Sequence, residues 1–390
     1  MPSQPAAAKP RCRHFPDCVG CTLIGTAYTA QLAAKRERLA AALAAHPRLA
    51  GVAVPAVEGS PRMFGYRNQA KLVARRARRG LLLGVYRPGS HQVVDIAHCE
   101  VHHPLITRVL AGVQRALETA DVPTYDERDA SGWLRYVVLR VSEWKHAVQV
   151  ILVVRDRGWR GERPLLERLR RIRGVAGVVL NLNATTGNVI FGSQFIASPR
   201  EQSLLERLGT LKLSSRAGAF LQANLGTARR VYAAATRFAA LDEQETAVDL
   251  YAGVGALTFH LAAAAQFVVG VEAVSGAVLD AKQNIRLNGY HNVRFLAAPA
   301  GAGMAQAAQL LDRVDVVALN PPRTGADEAA RSAIHAAKPR RIVYVSCEPK
   351  TLARDLDWFA ARAWRVTGLE AFDMLPQTEH VESVALLTRA

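Results

Sequence analysis

Cys347 closes an apolar run in Val343-Tyr-Val-Ser-Cys347-Glu-Pro349. A thiol at the end of a strand is placed where ligands bind, although an inert buried cysteine is the alternative for such a residue taken alone. Near neutral pH only a few per cent of an ordinary thiol is ionised, but that form is a strong nucleophile. Further on, Pro376-Gln-Thr-Glu-His380-Val-Glu382-Ser brings a second reactive group, the Glu382 carboxylate, into reach of the same cleft. Glu379 and His380 beside it read as surface residues. A nucleophilic sulfur with a carboxylate base suits a reaction in which sulfur adds to a ring carbon, and a proton must later be removed so that the sulfur can leave.

A glycine loop and an acid suggest what reacts with them. Asp249-Leu-Tyr-Ala-Gly253-Val-Gly255 follows one apolar segment, and Glu272 ends the next. Gly253 and Gly255 let the backbone turn sharply beside a ligand. The third glycine of the dinucleotide fingerprint is missing, so a pyrophosphate cradle fits poorly. Glu272 can accept both hydroxyls of a ribose. Ribose without pyrophosphate points to S-adenosylmethionine rather than NAD, with a tight turn and a solvated Glu272 as the plain alternative. Asn320-Pro-Pro-Arg323 stiffens a further loop. Amino-methyltransferases grip an exocyclic amine with Asn-Pro-Pro and an aromatic residue, but here Arg323 stands in the aromatic place. With a methyl donor present, uracil is the natural target. Its carbon 5 attacks a methylsulfonium only after a thiolate has added at carbon 6, and the target base must leave any helical stack to reach both groups.

Elements able to hold these residues are visible in the pattern of the 390-residue chain. From Thr246 onward strands alternate with helices: Thr246–Leu250, Phe267–Glu272, Val293–Ala297, Val314–Leu319, Arg341–Cys347, Val366–Phe372 and Val381–Leu387 read as strands, with helices at Ser275–Asn288 and Ala326–Ala337. That is a doubly wound α/β sheet, whose ligands sit at the carboxyl ends of its strands. Between Tyr66 and about Gly192, short Val- and Leu-rich runs predict a mainly antiparallel sheet interrupted by one Arg-rich helix at Pro164–Arg173. Tyr28–Ala45 has helical spacing. The uncharged stretch Leu250–Val271 is long enough to span a bilayer, but its glycines and polar residues break it into shorter elements. The amino terminus has no apolar signal region. Five cysteines without an export signal argue against a disulfide framework and leave the thiols to metal binding or catalysis.

DLYAGVG, NPPRTG, VYVSCEP and QTEHVES stand in the order seen in the RNA uracil-C5-methyltransferase family, and the chain resembles that family from Cys12 to Glu382. The resemblance implies a class I S-adenosylmethionine-dependent methyltransferase fold, with Cys347 as nucleophile and Glu382 as general base. It places the methyl-donor contacts on Gln222 (in AFLQANLG), Tyr251, Glu272 and Asn320. Cys12, Cys18 and Cys21 with Cys99 look like the four-cysteine [4Fe-4S] ligand set of the family's 23S ribosomal RNA branch, the RlmC/RlmD-type enzymes. Structural zinc, or a histidine ligand from His14, His98, His102 or His103, are the alternatives. Four ligands and one nucleophile account for every thiol. Only eleven residues precede Cys12, so the RNA-binding TRAM barrel of some relatives is not expected. The implied organisation is an Fe–S ligand segment at 1–22, a helix at 23–48 packing on the catalytic domain, a central β-rich RNA-binding domain at 49–210 and a methyltransferase domain at 211–390.

A formal charge of +17, from 50 Lys plus Arg against 33 Asp plus Glu, fits a partner with a phosphate backbone. Arg67, Lys71, Arg75 and Arg76, then Arg78 and Arg79, and the group Arg168, Arg170, Arg171 and Arg173 are the candidates for holding RNA, each of them also readable as a solvated face. The expectation is a monomeric cytoplasmic enzyme acting on 23S ribosomal RNA. The competing readings are methylation of tRNA, an amino-methyltransferase built on Asn-Pro-Pro, and a catalytically silent iron–sulfur protein that binds RNA.

Overall fold

The computed structural model describes residues 12–78, 80–187 and 189–389, so Arg79 lies outside the described residues. Two compact units make up the chain, and each stands as a structure of its own. One contains the described residues up to Gly25 with Arg62–Arg207 and Ser215–Gly218; the other contains Thr26–Pro61, Leu208–Ser214 and the chain from Ala219 onward. The chain therefore passes back and forth between units instead of running through consecutive blocks. Residues 49–61, grouped by sequence with the central region, belong with the carboxy-terminal unit.

The first unit is built on a seven-stranded sheet in the order Val93–Asp95, Gly80–Tyr86, Gln69–Ala77, Leu134–Ser142, Ala147–Val154, Val175–Leu182, Gln194–Ile196. All neighbours are antiparallel except Ala147–Val154 with Val175–Leu182, which run parallel because helix Glu162–Arg170 carries the chain across between them. A second helix, Pro104–Thr119, was not anticipated. Its Ile106, Val109, Leu110, Val113 and Leu117 recur at helical spacing and bury against the sheet, and that period is the sequence signal that could have found it.

In the second unit an eight-stranded sheet runs in the order Val57–Glu58, Trp364–Phe372, Glu382–Arg389, Arg341–Ser346, Val316–Leu319, Thr246–Leu250, Phe267–Glu272, Val293–Ala297. Helices cover both faces, and the inner strands are correspondingly mostly apolar, with Asp249 a buried exception. Six of the eight strands continue the parallel order on either side of Thr246–Leu250 or beyond it; Glu382–Arg389 is inserted antiparallel between Arg341–Ser346 and Trp364–Phe372. Val57–Glu58 pairs with Ala371 and Phe372, an edge strand too short to read from periodicity. The chain leaves Thr246–Leu250 for Phe267–Glu272 on one side and reaches Val316–Leu319 on the other, and a crevice opens at such a switch point. Among the described residues no helix is long and apolar enough to cross a membrane.

Candidate active site

The carboxyl end of Thr246–Leu250 turns through three left-handed residues, Tyr251 (φ 61°), Gly253 (φ 56°) and Gly255 (φ 93°). At Gly255 a Cβ would stand 2.6 Å from Phe259 and 2.8 Å from Phe295, so the turn tolerates no side chain. At Gly253 a Cβ would meet no atom within 4 Å, and the loop there faces open space. Glu272 braces the loop from the neighbouring strand: its two carboxylate oxygens accept from the backbone N–H groups of Gly253 (2.9 Å) and Val274 (2.8 Å). Asp249, 1% exposed, accepts from the Thr258 hydroxyl at 2.6 Å, and burial pushes its carboxyl up to about 7. Tyr251 is half-buried and reaches the backbone of Asp327. Asn320 follows Val316–Leu319 on the next strand along. Gln222 is buried and hydrogen-bonded to the Tyr232 hydroxyl.

Cys347 and Glu382 meet because of strand register. Ser346 pairs with Ser383 at the end of the antiparallel ladder, so the next residues, Cys347 and Glu382, leave that pair on the same edge and within electrostatic reach of each other. Glu382 is 3% exposed, and burial pushes its carboxyl up to about 7 despite the Arg323 guanidinium close by. Burial and then the Glu382 charge push the Cys347 thiol up, while Arg323, hydrogen-bonded to it, opposes the rise. The Tyr232 phenol lies within electrostatic range of both Glu382 and Asp249. Two strand spacings, about 10 Å, separate the glycine loop's strand from that of Cys347.

In the sequence, Arg323 stands where an aromatic residue would be expected. It is the cation of the site. Its Nη2 lies 3.1 Å from His380 Nε2, so His380 is half-buried against it rather than a free surface residue, whereas Glu379 is exposed as expected. The Arg323 loop is tied to helix Pro349–Ala360. Thr351 donates to the Arg323 carbonyl at 3.0 Å, Arg354 to the Thr324 carbonyl at 3.0 Å, and buried Asp355 accepts from the Ala326 N–H at 2.8 Å and the Tyr344 hydroxyl at 2.6 Å. Gly325 (φ 79°) makes room for this, since a Cβ there would fall 2.5 Å from Arg354 and 2.6 Å from Asp355. The segment leading to Glu382 is held from the other side by helix Tyr28–Ala44. Lys35 and Asp373 form a fully buried ion pair, Tyr28 donates to Asp373 at 2.9 Å, and Gln31 and Gln377 exchange two hydrogen bonds of 3.0 Å. No sequence motif announced Lys35, Asp373 or Tyr232.

The four remaining cysteines lie in the first unit and carry no disulfide. They are close neighbours: burial, then the thiols of Cys99, Cys18 and Cys12, push the Cys21 thiol up to about 12. Among the described residues no group of three His, Cys, Asp or Glu side chains is placed to hold a metal ion. In kind alone, four thiols are the donor set of an iron–sulfur cluster. Arg67 sits beside Cys21, Cys99 and His102, and so belongs to the surroundings of the cysteines. Lys71 lies over the Phe191 ring, 5.6 Å from its centre. Arg75 and Arg76 are paired with Asp126 (3.3 Å) and Asp121 (2.6 Å).

A doubly wound sheet with one antiparallel strand, a glycine loop and a strand-end carboxylate has the form of a methyltransferase. Residues 210–390 match the family model for tRNA (uracil-5-)-methyltransferases. An RNA methyltransferase of Geobacter sulfurreducens is 39% identical over 389 residues, covering 100% of this chain and 79% of that protein. Another, from Halalkalibacterium halodurans, is 34% identical and covers 99% and 84%. The crystal structure of Pyrococcus abyssi tRNA (uracil-54, C5)-methyltransferase in complex with S-adenosyl-L-homocysteine is similar at a TM-score of 0.75, with 26% identity over 96% of this chain and 86% of that one. The chain belongs to the RNA uracil-5 methyltransferase family.

Proposed function

We propose that the protein methylates carbon 5 of a uridine in 23S ribosomal RNA, with S-adenosylmethionine as donor. What supports the chemistry is that Cys347, next after the Ser346–Ser383 ladder pair, lies within electrostatic reach of Glu382, with Arg323 close to both. The donor, when bound, supplies an electrophilic methyl group on sulfur. Gln222, Tyr251, Gly253, Gly255, Glu272 and Asn320 would hold it, and the open space at Gly253 with the braced Glu272 carboxylate suits an adenosyl group. Cys347 adds as thiolate to carbon 6 of the flipped uracil, which leaves carbon 5 as the nucleophilic end of an enolate. Carbon 5 takes the methyl group and the donor's sulfur departs neutral. Glu382 then removes the proton from carbon 5, the double bond re-forms, and the Cys347–carbon 6 bond breaks to return the thiolate. Arg323 opposes the cost that burial places on both negative groups.

Cys12, Cys18, Cys21 and Cys99 would ligate a [4Fe-4S] cluster that braces the fold, since no step above transfers an electron. Protein purified without oxygen is expected to hold about four irons per chain, and Cys21→Ser to lose the iron and the visible absorbance together. Stoichiometric zinc, or a wild-type protein free of metal, would overturn this. The choice of ribosomal RNA rests on the four-cysteine set. The tRNA reading stands second, supported by the family model and the Pyrococcus abyssi enzyme, both named for tRNA. Mass mapping of ribosomal and transfer RNA from a strain lacking the gene decides between them. Loss of 5-methyluridine from 23S RNA supports the first reading, and loss from tRNA alone the second. No change in either sinks both.

A further inference from the structure

Among the described arginines of the first unit, some are paired with carboxylates and others are not. Arg75, Arg76 and Arg170 are spoken for by Asp126, Asp121 and Glu201. Arg108, Arg115, Arg168 and Arg173 are exposed, have no carboxylate partner among the described residues, and line one open groove of about 600 Å³. Arg108 and Arg115 lie two turns apart on one face of helix Pro104–Thr119, about 10 Å along its axis. Arg168, in the last turn of helix Glu162–Arg170, and Arg173 just beyond it form the other side. Between them the floor is Gly112, Ala116 and Ile172. Gly112 lets the two segments touch, since a Cβ there would stand 2.9 Å from Ile172.

We propose that this groove docks the phosphate backbone of structured RNA, through residues that take no part in the methyl transfer. Arg108 and Arg115 leave their helix about 10 Å apart along its axis, a spacing that suits successive phosphates better than one small anion. Each guanidinium presents the planar fork that matches a phosphate, and the small-residue floor lets a sugar–phosphate chain lie close. The choice of RNA rests on the function proposed above. Contacts of this kind add affinity and little sequence choice.

The test compares wild type with Arg108→Ala/Arg115→Ala/Arg168→Ala/Arg173→Ala and, as a single charge reversal, with Arg115→Glu. Two other carboxylate-paired arginines of this unit, as Arg128→Ala/Arg155→Ala, are the control. Binding of transcribed, unmodified 23S RNA fragments and of a tRNA transcript is followed through a salt series without methyl donor. The fourfold variant is expected to bind at least about tenfold more weakly at 0.1 M salt, with a salt slope shallower by about 2 to 4. Arg115→Glu should move the same way to a smaller extent, and the control should stay within about twofold. In turnover, KM for RNA should rise and kcat at saturating RNA should hold. Unchanged affinity and slope in both variants would overturn the proposal, and so would polyglutamate competing as well as RNA of equal charge. Since binding is read without the donor, a wild type that binds RNA through these arginines but methylates none would remove the enzymatic reading and leave the groove.

Discussion

Cys347→Ala is expected to abolish methyl transfer, lowering kcat by about four orders of magnitude or more, with little change in folding stability. The expectation follows from the mechanism, because without sulfur at carbon 6 there is no activated carbon 5, and neighbouring groups cannot compensate when one member of a unit is lost. Cys347 is only partly buried and makes no disulfide, so removing its sulfur leaves the packed strands beneath it intact. Cys347→Ser should fare little better, since a hydroxyl ionises far less readily than a thiol. RNA carrying 5-fluorouridine gives the direct measurement. Fluorine at carbon 5 cannot leave as a proton would, so wild type should be trapped in an RNA adduct that survives denaturation and migrates slowly on a gel. A Cys347→Ala protein that still forms the adduct, or still turns over, would end the assignment.

Glu382→Gln should separate the two halves of the reaction. Sulfur addition and methyl transfer need no base at carbon 5, so the variant is expected to methylate once, accumulate adduct on ordinary RNA and lose turnover by about 10²- to 10⁴-fold. In wild type, log kcat should step up through about pH 7 as the Glu382 carboxyl, raised by burial, ionises, ahead of any further rise at higher pH from the Cys347 thiol. The glutamine variant should lack that step. Stability should change the other way. A carboxyl whose pKa is higher in the folded chain than in the unfolded one makes the fold hold extra protons, so it adds stability at low pH, and that contribution is lost as pH rises from about 4.5 through about 7. Above pH 7 the buried charge costs the fold up to about 3 kcal/mol. Glu382→Gln should then melt higher than wild type at pH 8 and nearly equal to it at pH 4. Equal melting at both values would show that the carboxylate is already well solvated.

Much of this site could be read from residue order, and what could not has a common cause. Cys347, Glu382, the glycine loop and Glu272 all sit at strand ends, where local patterns show both the strand and its terminus. The boundaries came close: Ser275–Asn288 is helical over those residues, and the expected strand from Val314 begins at Val316. What was hidden depends on long-range pairing. The nearness of Cys347 and Glu382 is implied by their chemistry alone in the sequence, whereas its physical basis is the antiparallel pairing that ends at Ser346 and Ser383, which no local window contains. Arg323 looked like a flaw in a motif until the loop was seen tied to helix Pro349–Ala360. Lys35 carries no local mark of burial in the sequence, yet it is wholly buried against Asp373. The arginine-rich segments show the limit of composition, since Arg75 and Arg76 are paired with carboxylates that lie far along the chain.

Strand Val57–Glu58 waits for Ala371 and Phe372 to complete its side of the sheet. At a ribosomal pace of about 5 to 20 residues per second, that wait is roughly a quarter of a minute to a minute. Throughout it, the early helix Tyr28–Ala44 carries Lys35 without its counter-ion and Leu39 and Leu43 without the surface that covers them. Such a nascent chain has sticky, half-made faces, and its burden on the cell's folding helpers should grow wherever translation stalls between those two points.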